Sequence, residues 1–308
     1  MAFSASEAAF EGFRIIRREP KTVVIWGVML LVFSAVGVAA MLPILKGAES
    51  GFGVTPGAPA NPAAVSAMMG RMGELYLIGV PLYLLAMSVF NAAVYRAVLR
   101  PQETGVGRLR LGGDELRLAG VYVLVGLLCL ALFFAVALIA VIVGVGMAAA
   151  LRQAPAAAVI MILLLYLLVM AAFAWVAVRL SFAGPMTFAR KRIHLFSSLR
   201  LTKGRFWSLL GCYLLALVFV ILIGLVDAAV SGVLVIGMNG GSLSRAATSF
   251  FRPDYSSLAS FYSPVYIVRL VVGAVFGVVI WTVMAAPPAA AFRDIAGPKA
   301  EDQADAFS

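Results

Sequence analysis

Two ionisable residues, Asp227 and Arg269, lie inside long apolar stretches of this sequence. Asp227 occurs in "ILIGLVDAAVSG" and Arg269 in "VYIVRLVVG". A carboxylate is expensive to place inside a membrane and is a functional candidate by default. A neighbouring guanidinium would offset that cost by forming an ion pair. Three interpretations of Asp227 stay open: a buried structural pair with Arg269, an exposed or interfacial carboxylate, and a site for a proton, a cation or a lipid headgroup.

The other side chains that could do chemistry are scattered along the sequence. The single histidine, His194, follows a run of basic residues, and the two cysteines, Cys129 and Cys212, lie within apolar runs. No HExxH, GxSxG or P-loop motif occurs, and no cluster of carboxylates. We therefore expect no catalytic centre, no metal site and no cofactor. Asn91 is a weaker polar candidate, near the inner end of an apolar segment.

The elements that carry these residues are apolar segments long enough to cross a membrane. The chain has 308 residues, of which 63% are hydrophobic and 12% charged, and its mean hydropathy is +1.03. Soluble domains are about half apolar and a quarter charged. Since about 20 helical residues cross a bilayer core, we predict an all-α integral membrane protein with six transmembrane helices. The apolar runs lie at about 21–45, 75–98, 117–150, 156–181, 206–236 and 265–291.

The basic residues are distributed unevenly between the two sides of these segments. Of the 24 Lys and Arg residues, 18 fall in the N-terminal segment, the second and fourth loops and the C-terminal segment. The positive-inside rule then places both termini in the cytoplasm, in a bacterial inner membrane. We interpret the net charge of +10 as a signal of topology and of anionic lipid, and we expect no nucleic-acid partner.

The ends of the apolar segments repeat along the chain. The second, fourth and sixth segments end in "VYRAVLRP", "AVRLSFAGP" and "AAAFRDIAGP", which each place an Arg before a Pro. The first, third and fifth begin with "PKTVVIWG", "GDELRLAG" and "GRFWSLLG". We predict three repeated hairpins in a single membrane domain, 1–308, with a flexible tail. The hairpins span 5–101, 105–185 and 187–298, and the tail spans 299–308. A six-helix bundle without repeats is the alternative.

Basic amphipathic segments are predicted to form elbow helices at the cytoplasmic interface. Residues 4–19 and 187–203 combine bulky apolar side chains with Arg and Lys, which suits helices that lie in the headgroup plane. Ser4 and Glu7 fit a capping box at the start of the first. Ordinary positive-inside loops are the alternative. The residues expected at the headgroups or interface are Arg17, Arg18, Arg96, Arg179, Arg190, Lys191, Arg192, Lys203, Arg205, Trp207 and Arg293.

Three stretches carry a resemblance to a known family: "LRLTKGRFWSLLG", "VYRAVLRP" and "AVRLSFAGP". The chain resembles the bacterial membrane domain named after glycerophosphodiester phosphodiesterases, with its YciC-like relatives, over roughly residues 5–298. In that family the membrane module can be fused to a hydrolase that cleaves lipid-derived glycerophosphodiesters. The metal-binding Glu, Asp and His cluster of that hydrolase has no counterpart here. The resemblance therefore implies a membrane module without the hydrolase and carries over no catalytic residue.

Three functions are compatible with these features. The leading hypothesis is a non-catalytic inner-membrane protein that organises or binds lipid, anionic lipid above all, or a membrane or cytoplasmic partner protein, with a homo-oligomer open. The second is a transporter or channel for a small or amphiphilic solute, which would use Asp227, Arg269 and a proline-interrupted sixth helix. The third is an enzyme subunit whose partner supplies the chemistry.

Overall fold

The computed structural model describes residues 3–49, 62–153, 155–251 and 257–296 of the chain. Within these ranges the protein is helical and contains no strand. The predicted tail at 299–308 and part of the loop in the first predicted hairpin lie outside the described residues.

Twelve helices and one 3-10 turn make up this part of the chain. In order they are α1 (Ala5–Ala9), α2 (Glu11–Arg18), α3 (Pro20–Glu49), α4 (Pro62–Leu99), the 3-10 turn Val106–Arg108, α5 (Gly113–Gln153), α6 (Pro155–Leu180), α7 (Ala183–Arg190), α8 (Ser197–Leu201), α9 (Phe206–Met238), α10 (Leu243–Phe251), α11 (Leu258–Phe261) and α12 (Pro264–Ala296). Six of them, α3, α4, α5, α6, α9 and α12, are long and apolar enough to cross a membrane, as predicted.

Helix α12 is the central element of the packing. It contacts α9 along much of its length and also contacts α1, α2, α3, α4 and α7. Helix α5 packs against α4, α6 and α7, so the pair α5–α6 joins the rest of the bundle mainly through α4 and α7. Gly12 allows α2 to approach α12 closely, because a Cβ atom there would lie 2.6 Å from Cα of Val283.

The buried side chains concentrate at one end of the bundle. This basic end is where α4, α6 and α12 finish and where α3, α5 and α9 begin. Its largest fully buried side chains include Trp26, Phe90, Leu118, Phe182, Phe188 and Leu209. Towards the other end, α5 and α6 expose apolar side chains such as Phe134, Ile142 and Leu164. Such surfaces are stable where lipid is the solvent, so the protein interior is built chiefly at the basic end.

The predicted interruption of the sixth membrane segment by proline is wrong. Helix α12 continues from Pro264 to Ala296 through Pro287 and Pro288. Helices α1 and α2 pack against α12, whose residues around the two prolines are largely buried. Proline is tolerated inside membrane helices where neighbouring elements support the freed backbone groups. Pro81 likewise lies within the continuous helix α4.

Candidate functional site

An ion-pair network holds the connection between α4 and α5. Arg96, in the last turn of α4, is only 2% exposed. Its guanidinium pairs with Glu115 of α5, which is 3% exposed, and its Nη1 donates to the main-chain carbonyl of Arg108 at 2.9 Å. The prediction that Arg96 reaches the headgroups is therefore wrong, because a carboxylate holds its side chain inside the protein.

Arg108 joins this connection to the start of α3. Its Nε and Nη2 donate to the two carboxylate oxygens of Glu19 at 2.9 and 3.0 Å. Its Nη1 donates to the main-chain carbonyl of Glu103 at 2.6 Å. Burial raises the pKa of the Glu19 carboxyl, but the hydrogen bonds and charge of Arg108 outweigh it and leave that pKa below its usual value. Such a bidentate pair fixes geometry as well as charge.

A close approach of backbone and side chain reinforces the same connection. Trp26 of α3 is fully buried, and its Nε1 donates to the carbonyl of Gly107 at 2.6 Å. Gly107 has a φ of 59°, in the left-handed region that glycine adopts most easily. A Cβ atom at this position would also lie 2.6 Å from Cγ2 of Ile25. The turn is therefore shaped to lie against α3.

Arg100 attaches α7 to the network. Its Nη2 donates to the carbonyl of Phe188 at 2.8 Å, and its guanidinium lies 4.5 Å from the centroid of the Phe188 ring. Its Nη1 donates to Asp114 at 3.2 Å. The arginine thus satisfies a carbonyl near the end of α7 and adds a cation–π contact.

These contacts assign a structural role to most of the charge in this connection. In the sequence, its arginines belong to the excess of basic residues that predicts the cytoplasmic side. In the fold, four carboxylates, those of Glu19, Glu103, Asp114 and Glu115, pair with them. The acidic residues were visible in the sequence, but a count of Lys and Arg alone ignores them, as the positive-inside rule does.

The two N-terminal helices are also fixed by specific contacts. The predicted cap is present, since Oγ of Ser4 accepts from the N–H of Glu7 at 3.4 Å. Arg293 of α12 donates to Glu11 at 3.2 Å, and Arg18 donates to the carbonyl of Ala97 at 3.1 Å. Arg293 and Arg18 therefore have protein partners.

Arg17, the third predicted interface residue near these helices, makes no side-chain hydrogen bond or ion pair with the other described residues. It is exposed, whereas Arg293 is half-buried. Arg17 thus remains available to solvent or lipid.

The second basic segment has a different character. We call its exposed cations the basic surface: Arg190, Lys191, Arg192, Arg200, Lys203 and Arg205. The stretch 187–207 that contains it has no Asp or Glu. Three large apolar side chains are exposed beside it: Ile193 at 51%, Phe196 at 67% and Trp207 at 78%. Exposed cations next to exposed aromatic rings are typical of a membrane interface.

The predicted single helix over residues 187–203 is wrong. Helix α7 ends at Arg190, and Lys191 adopts the left-handed conformation, with φ of 54° and ψ of 27°. The chain then turns and forms the short helix α8. The residue that ends the helix is a lysine, so no Gly or Pro marks the end of α7 in the sequence. The basic surface is therefore carried by a turn and helix ends.

Hydrogen bonds hold this turn in place. The N–H of His194 donates to Oγ1 of Thr187 at 3.1 Å, which ties the turn back to α7. Oγ of Ser198 donates to the carbonyl of Arg179 at 2.7 Å and accepts from the N–H of Phe182 at 3.2 Å. Helix α8 is thereby anchored to the end of α6.

Arg179, the exit arginine of α6, is half-buried at this anchor. Its guanidinium carbon lies 5.6 Å from the centroid of the Trp175 ring. Its Nε is buried and has no hydrogen-bond partner among the described residues. Because its side chain is only half-buried, Arg179 remains a candidate for headgroup contact through the rest of its guanidinium.

An open apolar cleft of about 610 Å³ lies beside the basic surface. One wall is the face of α5 that carries Leu124, Leu127, Leu128 and Ala131, and the other is the turn 193–197. The turn also touches α5 nearer its start, since a Cβ atom at Gly120 would lie 3.6 Å from Cδ1 of Ile193. The cleft therefore lies between the apolar surface of α5 and a turn that directly follows Lys191 and Arg192 of the basic surface in the chain.

Asp227 and Arg269 both lie in the described part of the chain, but they do not form the predicted ion pair. Asp227 is half-buried, and Oγ of Ser231, one turn further along α9, donates to its carboxylate at 3.3 Å. Asp227 lies about 16 Å from the end of α9 and Arg269 about 8 Å from the start of α12, at 1.5 Å of rise per residue. The two side chains are thus offset along the axes of α9 and α12.

Asn91 has a role in packing. It is 7% exposed, and its Nδ2 donates to the hydroxyl of Tyr122 on α5 at 2.8 Å. The hydroxyls of Tyr122 and Tyr95 lie 3.4 Å apart. This polar group joins α4 to α5 within the basic end.

The described residues offer no metal site, and no relative is found that would indicate the family. Among the described residues, no group of three or more His, Cys, Asp or Glu side chains is arranged to hold a metal ion. Comparisons with protein families, curated proteins and solved structures give no match. The resemblance to the phosphodiesterase-associated membrane domain stays a prediction.

Proposed function

We propose that this chain is a non-catalytic protein of a bacterial inner membrane that binds anionic lipid headgroups at the cytoplasmic leaflet through its basic surface. The same surface would serve an acidic partner protein at that leaflet. No cofactor is required, because the interaction depends on charge and on apolar contact with lipid.

The observation that carries this proposal is the contrast between the two basic segments. The arginines between α4 and α5 pair with carboxylates inside the protein. The basic surface lies in a stretch without any carboxylate, and it exposes Phe196 and Trp207 beside its cations. Each Lys or Arg near an anionic membrane surface contributes about 1 kcal/mol of attraction. Six such residues on one surface favour anionic lipid strongly.

We also propose that the six long helices form three repeated hairpins with both termini in the cytoplasm. The pairs α3–α4, α5–α6 and α9–α12 each pack together. In the second and third hairpins, the first helix buries side chains at equivalent positions near its start. These are Leu118 and Val121 of α5, and Leu209 and Cys212 of α9. The positive-inside rule supports a cytoplasmic location for the basic end.

Transport has less support, because one feature that suggested it differs from expectation: α12 continues through its two prolines. Asp227, which accepts a hydrogen bond from Ser231, stays a candidate site for a proton or a cation. A broken helix that opens its backbone towards a midplane site is the feature that would have favoured transport.

Spin-labelled lipids test the proposed function in reconstituted membranes. The fraction of motionally restricted label gives the association of phosphatidylglycerol relative to phosphatidylcholine. We expect the wild type to prefer phosphatidylglycerol. The triple variant Arg190→Glu, Lys191→Glu, Arg192→Glu should lower that preference by at least tenfold, since three basic residues at about 1 kcal/mol each contribute about 3 kcal/mol and about 1.4 kcal/mol is a factor of ten.

A matched pair of single variants provides the control. Arg192→Glu and Arg245→Glu change the net charge equally, but Arg245 is exposed on α10, at the other end of the bundle. Only Arg192→Glu should reduce the preference. Equal effects of the two variants, or a wild type without any preference, would contradict the proposal.

A further inference from the structure

We propose that the cleft beside the basic surface binds one anionic glycerophospholipid, with an acyl chain between α5 and the turn 193–197 and the phosphate at Lys191 and Arg192. This inference rests on the proposed function and gives it a defined site. The ligand is a lipid of the surrounding leaflet.

The size and lining of the cleft fit an acyl chain. Its volume of about 610 Å³ falls within the range of small-molecule sites, about 300–1,000 Å³. Leu124, Leu127 and Leu128 supply an aliphatic wall, and Phe196 an aromatic edge. The cleft is open, so a chain can enter from the bilayer without passing through the protein. An acyl chain matches such a wall better than a polar solute does.

The charge at the mouth of the cleft fits a phosphate. The left-handed backbone at Lys191 ends α7 and starts the turn that forms one wall of the cleft. Lys191 and Arg192 are exposed and directly precede the lining residue Ile193. No carboxylate lies in the stretch 187–207 to compete for these cations. A headgroup phosphate at this place would receive charge-assisted hydrogen bonds.

The site is also held rigidly enough to select one lipid. The hydrogen bond from His194 to Thr187 fixes the turn, and the two hydrogen bonds of Ser198 fix the start of α8. A preformed cleft loses less conformational freedom on binding than a flexible loop does. We therefore expect a single long-lived lipid at the cleft, in addition to the diffuse layer that the basic surface attracts.

Native mass spectrometry of the full chain in an uncharged detergent tests the site. The protein is titrated with dioleoyl phosphatidylglycerol and, separately, with dioleoyl phosphatidylcholine. Leu128→Trp fills the cleft and should lower the affinity for both lipids at least tenfold. Leu130→Trp is the matched control, because Leu130 is exposed on the same helix but does not line the cleft. It should bind both lipids as the wild type does.

The headgroup contact is tested by the double variant Lys191→Gly, Arg192→Gln. Glycine suits the left-handed backbone at position 191, so the turn is expected to keep its shape. This variant should lose phosphatidylglycerol affinity at least tenfold and keep phosphatidylcholine affinity. Glycerol 1-phosphate, which offers the phosphate without a chain, should form no stable adduct with the wild type.

The outcomes separate this inference from the proposed function. If Leu128→Trp binds both lipids like Leu130→Trp, the cleft is not the site, and the inference fails even where spin-labelled lipids still show the charge preference. A stable adduct with glycerol 1-phosphate that Leu128→Trp leaves intact would also overturn it. If spin-labelled lipids show no preference for phosphatidylglycerol, the proposed function itself fails.

Discussion

Replacing Glu115 with Gln is expected to lower the free energy of unfolding by about 3 kcal/mol, because it removes the nearest charge partner of the buried Arg96 guanidinium and leaves the more distant Glu103, 3.8 Å from its Nε. Both side chains are almost fully buried, at 3% and 2% exposed. The cost is large because no water can replace the lost carboxylate. The loss is measured as the shift in chemical or thermal unfolding of the purified protein in detergent.

Two further variants show whether burial causes this loss. Asp294→Asn is the matched control, since Asp294 pairs with Arg293 and the two side chains stay 31% and 38% exposed. It should cost less than about 1 kcal/mol, as exposed ion pairs do. The double variant Arg96→Met, Glu115→Leu should recover most of the stability, because apolar pairs often replace buried ion pairs without loss. An unchanged stability of Glu115→Gln would contradict the buried pair.

Replacing Gly12 with Ala is expected to destabilise the packing of α2 on α12. The added Cβ atom would lie 2.6 Å from Cα of Val283 and 2.9 Å from the carbonyl oxygen of Thr282. Both are backbone atoms, so the helices must separate. Overpacking of this kind costs about 1–3 kcal/mol. The apparent Tm should fall by about 5 °C, since 1 kcal/mol corresponds to about 2–4 °C in domains of this order of size.

Gly126→Ala is the control for helix propensity. Gly126 lies within α5, and a Cβ atom there would meet nothing within 4 Å. Alanine favours a helix over glycine by about 1 kcal/mol, so this variant should be neutral or stabilising. If the Gly12→Ala variant has the same apparent Tm as the wild type, α2 does not lie against α12 at this distance.

The membrane-spanning helices could be predicted from the sequence because hydropathy over about 20 residues reports them directly. All six are present, although the interruption expected at Pro287 and Pro288 is not. A proline's effect on a helix depends on what packs around it, and α1 and α2 lie about 270 residues away in the sequence. That contact cannot be inferred from local pattern.

The candidate site was predicted only in part. The predicted interface residues include the cations of the basic surface except Arg200. They also include Arg96, because its partner Glu115 lies on another helix. The break at Lys191 was missed because no Gly or Pro marks it. The cleft requires the turn 193–197 to meet α5, which is a tertiary contact. The offset of Asp227 from Arg269 depends on the connection through α10 and α11.

The most direct test of lipid binding at the basic surface is native mass spectrometry of the wild-type chain, released gently from its own membrane without added lipid. We predict a bound anionic phospholipid that is enriched over its share of the bulk membrane lipids. Purification in high salt should deplete it, since salt screens exposed charges. A bare chain, or bound lipids in the proportions of the bulk membrane, would contradict it.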